Sequence, residues 1–174
     1  MSLITIPNVE GATGEVKAVY DEMLESWGVV PEPIRAFSHN PELLRNSWER
    51  YKIDAQNENF SPKMTTMMRM LIAEAHACEF CIGFNKAMLM NFFEVSEDEI
   101  IALQKEPKTA KLDEKQKTML LFMLKSTSTP HEVSKDDIED LKKLGWSEKD
   151  IMEGVNQATH MVATSLFIDT FKIA

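Results

Sequence analysis

Cysteine is nearly missing from this sequence, with two in 174 residues, Cys78 and Cys81. That excludes the disulfide framework by which small secreted domains make up for a thin core. Glycine is scarce as well, at six, and β-branched runs are short, so strands and their tight turns have little to draw on. Positive charge is in deficit: 19 Lys and Arg against 28 Asp and Glu leave a formal charge of -9. Affinity for phosphate backbones needs clustered Lys and Arg, and none are gathered into a stripe here, which removes nucleic acid as a partner. No uninterrupted apolar run approaches the roughly 20 residues that cross a bilayer. The start, "MSLITIPNVEG", has no basic stretch leading into an apolar one, as a secretory signal would. The expectation is a cytoplasmic protein with no membrane partner, in a single domain covering 1–174.

What is present is helical spacing. Apolar residues recur three and four apart along most of the chain, which predicts an all-α, compact helical bundle. The first helix is expected over Gly14 to Trp27, with Val16, Val19, Tyr20, Met23 and Leu24 on one face and Gly28 as its stop. "VVPEPIRAF" reads as a proline-bounded turn into a short helix. Asn40 then caps a helix that opens with Pro41 and presents Leu43, Leu44, Trp48, Tyr51 and Ile53. Ser61 and Pro62 repeat that start before the longest apolar stretch. Ser96 with Glu99 forms a capping-box pattern, and "LDEKQKTMLLFMLKSTS" carries a further helix. Ser134 starts one that Gly145 stops, and Ser147 starts one that runs to the C-terminus.

"HACEFCIGFN", residues 76 to 85, holds both cysteines as C-x-x-C. On a continuous helical wheel over 67–92, Met67, Met70, Leu71, Glu74, Cys78, Cys81, Ile82, Asn85, Met88, Leu89 and Phe92 share one stripe. Only Glu74 and Asn85 interrupt its apolar character, so a carboxylate, two thiols and an amide converge on one face. A thiol attacks as thiolate, and a C-x-x-C near a helix N-terminus is helped by the dipole and by the second sulfur. Three readings stay open at this point: a redox pair, a metal pair and a core filler. Cysteine packs as a small hydrophobe and methionine-rich stripes often fill cores. Glu74 turns to solvent if the helix breaks before Cys78, and Asn85 is equally a satisfied buried amide. Zinc would have Cys78, Cys81 and at most His76, short of four ligands. His160 lies in a polar line with Glu153, Asn156, Gln157 and Thr164, where a solvated or core-edge histidine is the safer reading over a general base. His39 and His131 fall in turns.

With "CEFCIGFN" followed by "VSEDEIIALQ" and "LDEKQKTMLLFMLKSTSTPHEVSKDDIEDLKKLGWSEKDIMEGVNQAT", the chain resembles the carboxymuconolactone decarboxylase and alkylhydroperoxidase D superfamily, in its peroxidase-related branch. "VYDEMLESWGVVPEPIRAFSHNPELLRNSWERY" resembles the leader of that branch. The resemblance implies an alkylhydroperoxidase D-like bundle with a C-x-x-C helical hairpin, residues 1–60 forming a helical leader packed on it. It also implies a peroxide-reducing thiol site in which Cys81 attacks and Cys78 resolves, without cofactor or metal. The family relays the proton through a histidine and a glutamate. Those positions fall here on Asn85 and Thr66, and Phe80 stands where some members carry another histidine. The Asn-Arg pair common in the family's last helix falls nearest Thr164 and Ser165.

The expectation is therefore a thiol-dependent oxidoreductase in antioxidant defence, acting on a hydroperoxide or a partner disulfide and recharged by a thiol reductant. Cys78 and Cys81 supply the electrons, with Glu74 and Asn85 tuning the site. The alternative is a catalytically degenerate member acting as a helical ligand-binding or interaction oligomer. Either way a homo-oligomer is expected: dimer, trimer or hexamer.

Overall fold

Helix starts account for most of the architecture. The computed structural model describes residues 2–173, which hold nine α-helices and no strand. These are α1 (Gly14–Trp27), α2 (Glu32–Arg35), α3 (Pro41–Asp54), α4 (Pro62–Ala75), α5 (Glu79–Phe93), α6 (Glu97–Lys105), α7 (Glu114–Ser128), α8 (Lys135–Lys143) and α9 (Glu148–Phe171). At the starts of α3, α4, α6, α7, α8 and α9 a short polar side chain takes up backbone N–H groups that have no partner inside the helix. Asn40 Oδ1 accepts from Glu42 and Leu43 at 3.1 and 3.3 Å, and Ser61 Oγ accepts from Met64 at 3.2 Å. Ser96 with Glu99 and Ser134 with Asp137 close reciprocal capping boxes. Lys125 and the Ser134 cap hold the Asp137 carboxyl down at about 2.

The chain divides into two compact units, one up to Gln56 together with Ile168 onward, the other Asn57–Phe167. In the first, α1 and α3 pack around Val19, Tyr20, Met23, Val30, Ile34, Leu44 and Trp48. Leu43 and Ile53, expected on the apolar side of α3, are instead exposed at 53% and 57%. They stand on the far side of the helix from the buried Leu44 and Trp48, one position off the core stripe. The Trp48 indole N–H donates to Glu22 Oε2 at 2.7 Å, while Arg45 donates to Glu15 and Glu22 at 2.6 Å each.

In the second unit α4 packs on both α5 and α7. Its core is rich in methionine, with Met64, Met67, Met68, Met70, Met119 and Met123 all buried. Each such side chain contributes roughly 1.5–3 kcal/mol on leaving water. Gly154 brings α9 close to α7, since a Cβ there would lie 3.2 Å from Met119 Sδ. At the head of α9, Asp150 accepts from Asn57, Asn59 and Ser147. Burial pushes that carboxyl up, but hydrogen bonds from Ser147, Asn59 and Asn57 together outweigh it and hold it well below the ordinary range. No described helix is long and apolar enough to cross a membrane.

Candidate active site

The continuous wheel over 67–92 does not form. α4 ends at Ala75 and α5 begins at Glu79, with the chain reversing through 76–78. Ala77 takes the left-handed conformation at φ 54°, its N–H donates to Glu74 O at 3.0 Å, and the Cys78 N–H donates to Ala73 O at 3.0 Å. That is the Schellman pattern of a helix end, here with alanine in the position usually given to glycine. The break takes Glu74 off the cysteine face. It is exposed, and its Oε1 accepts from Gln104 Nε2 at 3.2 Å. The convergence of Glu74 with the thiols is therefore corrected, because a wheel holds only while the helix continues. Phe92, placed on the same stripe, is 73% exposed.

The same break sets Cys78 at the N-cap of α5 and Cys81 in its first turn. The two are joined as a disulfide, with Cα atoms 5.4 Å apart, inside the usual span for such a bridge. Both are buried, Cys78 at 1% and Cys81 at 3% exposure. Phe80, between them in sequence, is half-buried, and its ring stacks on Phe84 with centroids 6.0 Å apart. Phe84 is 50% exposed. A depression of about 160 Å³ on this unit, lined by Lys63, Met67, Val95, Glu99 and Leu103 among others, has neither cysteine in its wall.

Asn85 is where the sequence left two readings open, and the structure gives it partners at both ends. Its Nδ2 donates to Cys81 O at 2.8 Å, and its Oδ1 accepts from Arg69 Nε at 3.2 Å. The assignment of amide ends follows from the partners, since a guanidinium only donates and a carbonyl only accepts. Arg69 Nη2 also donates to Thr66 Oγ1 at 3.0 Å, and the Thr66 hydroxyl donates to Pro62 O at 2.7 Å. Thr66 and Asn85, the positions where the resembled family has glutamate and histidine, are thus bridged by one guanidinium. Sequence reasoning missed Arg69, although a signal existed: it is the lone charge among residues 64–73, and an isolated cation in an apolar stretch needs a partner.

Ser165 is buried with its hydroxyl unpaired, Glu153 accepts from Asn57 at 2.6 Å, and His160 lies half-buried in α9. His76 caps the end of α4, His39 pairs with Thr5 O at 2.7 Å, and His131 is exposed. Among the described residues no group of three or more His, Cys, Asp or Glu is placed to hold a metal ion.

No protein-family model matches the sequence, and no curated protein matches it. Solved structures do. An uncharacterized peroxidase-related protein from Silicibacter sp. TM1040 superposes with a TM-score of 0.82 at 21% identity, covering 99% of this chain and 91% of its own. An uncharacterized peroxidase-related protein from Ralstonia eutropha JMP134, described as an alkylhydroperoxidase AhpD core, gives 0.82 at 18% identity, with coverage of 99% and 91%. The debrominase Bmp8, in a Cys-to-Ala variant bound to 2,3,4-tribromopyrrole, gives 0.75 at 14% identity, with coverage of 99% and 92%. The chain has the alkylhydroperoxidase D-like fold.

Proposed function

We propose that the chain is a dithiol oxidoreductase in which Cys78 and Cys81 deliver two electrons and close on each other. The observation that carries this reading is the buried Cys78–Cys81 pair at the first turn of α5, already within bridging distance. A thiolate on Cys81 is favoured by the positive end of the α5 dipole. With a hydroperoxide as oxidant, Cys81 takes the terminal oxygen as a sulfenic acid and releases an alcohol. Cys78 then attacks that sulfur and expels water, so one hydroperoxide and two thiols give one alcohol, one water and one disulfide. A partner disulfide accepts the same two electrons by exchange. An external thiol must restore the reduced pair.

Asn85 and Thr66 cannot take a proton at neutral pH. Turnover with a hydroperoxide is accordingly slower than with a matched base, by about 10²-fold. The debrominase neighbours add a carbon–halogen bond as an acceptor to test: an aryl bromide and two thiols would give the arene, bromide, a proton and the disulfide. The test is the intact mass and free-thiol count of reduced protein after brief exposure to each oxidant. Loss of two hydrogens together with both thiols, abolished in Cys81→Ser, is the expected result. Thiols that survive every oxidant would end this reading in favour of a degenerate member that binds an apolar ligand or partner.

Self-association belongs to the same proposal. α5 leaves Phe84, Met90 and Phe92 exposed at 50%, 39% and 73%, apolar surface that a second copy of the chain would cover. Light scattering at micromolar concentration should give a multiple of 19.9 kDa, and a monomer mass would reject it.

A further inference from the structure

The depression on the Asn57–Phe167 unit has no task in the dithiol reading, since neither cysteine lines it. Its inner wall is apolar. Met67 of α4, Val95, Leu103 of α6 and Ala110 contribute to it, and all four are buried at 1% to 4% exposure. Drug-sized ligands occupy pockets of roughly 300 Å³ or more, so this one is too small for them. Its volume of about 160 Å³ instead resembles that of a cavity that takes up a single benzene molecule, roughly 150 Å³.

The charged residues of the lining are the ones that reach water. Lys63 and Glu99 are half-buried and Lys111 is exposed. Glu99 has both oxygens engaged: Oε2 accepts from the Ser96 N–H at 3.0 Å, and Oε1 pairs with Lys111 Nζ. Its carboxyl is held below the ordinary value of 4.5 chiefly by that lysine, and Lys63 adds to the effect through space. The cations therefore outnumber a carboxylate that is already occupied. Lys63 also lies in the first turn of α4, where the helix dipole adds partial positive charge. In a chain of net charge -9, a lining with surplus cation stands out from the surrounding field and favours an anion. Lys63 and Met67 are one turn apart on α4, so an apolar body laid on the methionine brings an anionic head within reach of the lysine.

We infer that this depression binds a small monocarboxylate with one compact apolar body, of the size of benzoate, its carboxylate held by Lys63 and Lys111 and its ring against Met67, Val95 and Leu103. The site goes beyond the dithiol reading and does not rest on it.

The test is a titration of the purified full chain with sodium benzoate at constant ionic strength, followed by NMR of 13C-labelled methionine methyl groups. The Met67 methyl should shift saturably while that of Met152, which does not line the depression, stays in place. Benzyl alcohol, of similar size without the charge, should bind about ten-fold more weakly, the worth of one charge-assisted contact. Lys63→Met should weaken benzoate by about the same factor and leave benzyl alcohol unchanged, whereas Lys63→Arg should retain most of the affinity. Ala102→Leu fills the depression from α6 and should abolish binding of both compounds. A Met67 methyl that does not respond overturns the inference. So does a response to benzoate that Lys63→Met leaves intact, or one that survives Ala102→Leu. Binding is read without turnover, so a chain inactive toward every oxidant would leave this site standing, and an active chain that ignores benzoate would leave the dithiol reading standing.

Discussion

The α1–α3 region and the α4–α5 hairpin solve the same two local problems with opposite materials. Each must end a helix, and each must place an arginine between helices. α1 ends on Gly28 at φ 70°, whereas α4 ends through Ala77 at φ 54°. Arg45 faces three carboxylates, Glu15, Glu22 and Glu49, whereas Arg69 bridges a hydroxyl and an amide. In α1–α3 both choices follow local preference: glycine bears the left-handed conformation without strain, and opposite charges meet at a surface. In the hairpin the alanine runs against it, and two of the arginine's bonds go to neutral groups. Local compromises of this kind gather where structure serves chemistry, and here they flank the two cysteines.

The contrast breaks most readily at the arginines. Arg69→Met leaves the buried Asn85 oxygen and Thr66 hydroxyl short of a donor, and should cost about 2 kcal/mol by urea denaturation. Arg45→Met leaves carboxylates that are 40–49% exposed and can turn to water, so about 1 kcal/mol or less is expected. A larger cost at Arg45 than at Arg69 would reverse the comparison.

Acid separates the two sites a second way. The hydrogen bond from Arg45, then those from Trp48 and Lys52, hold the Glu22 carboxyl below its ordinary value of 4.5 against the opposing pull of burial. A carboxyl depressed in the folded state adds stability above its unfolded value, and that stability is lost as pH falls through the folded one. The gap between wild type and Arg45→Met should therefore close on acidification below about 4.5. Thr66 and Asn85 do not titrate, so the share of the Arg69 gap that comes from those two bonds should persist. Melting curves of the three proteins between neutral pH and about pH 3 check this, and parallel gaps would refute it.

Where the chain obeys local preference, the sequence could be read. Gly28, Asn40 with Pro41, Ser61 with Pro62, and the Ser96 and Ser134 caps lie at the observed helix ends, because each supplies a conformation or an acceptor that a helix end requires. The C-x-x-C was legible as a pair for the same reason, as spacing alone brings two sulfurs to one turn. The hairpin was not legible as a hairpin from its wheel. "AEAHACEF" has neither glycine nor proline, so an apolar period runs straight through the position where the backbone reverses. Glu74 was misplaced by that one error. Arg69 escaped because Asn85 lies on the next helix, and no single-helix pattern records a contact between residues 69 and 85.

The helix ends give the smallest and cleanest test of the comparison. A Cβ on Gly28 would meet nothing within 4 Å, so Gly28→Ala changes only backbone energetics. An L-residue in that conformation is strained by roughly 1 kcal/mol, partly offset by lower entropy in the unfolded chain. Ala77→Gly is the mirror experiment: strain is relieved, unfolded-state entropy rises, and the net gain is a few tenths of a kcal/mol. Opposite signs from the two substitutions, read as urea midpoints at equal slope, would mean that the hairpin carries alanine at a cost in stability. Equal signs would mean that the turn before Cys78 is no more strained than an ordinary helix end. In that case the Arg69 bridge alone would set the hairpin apart from α1–α3.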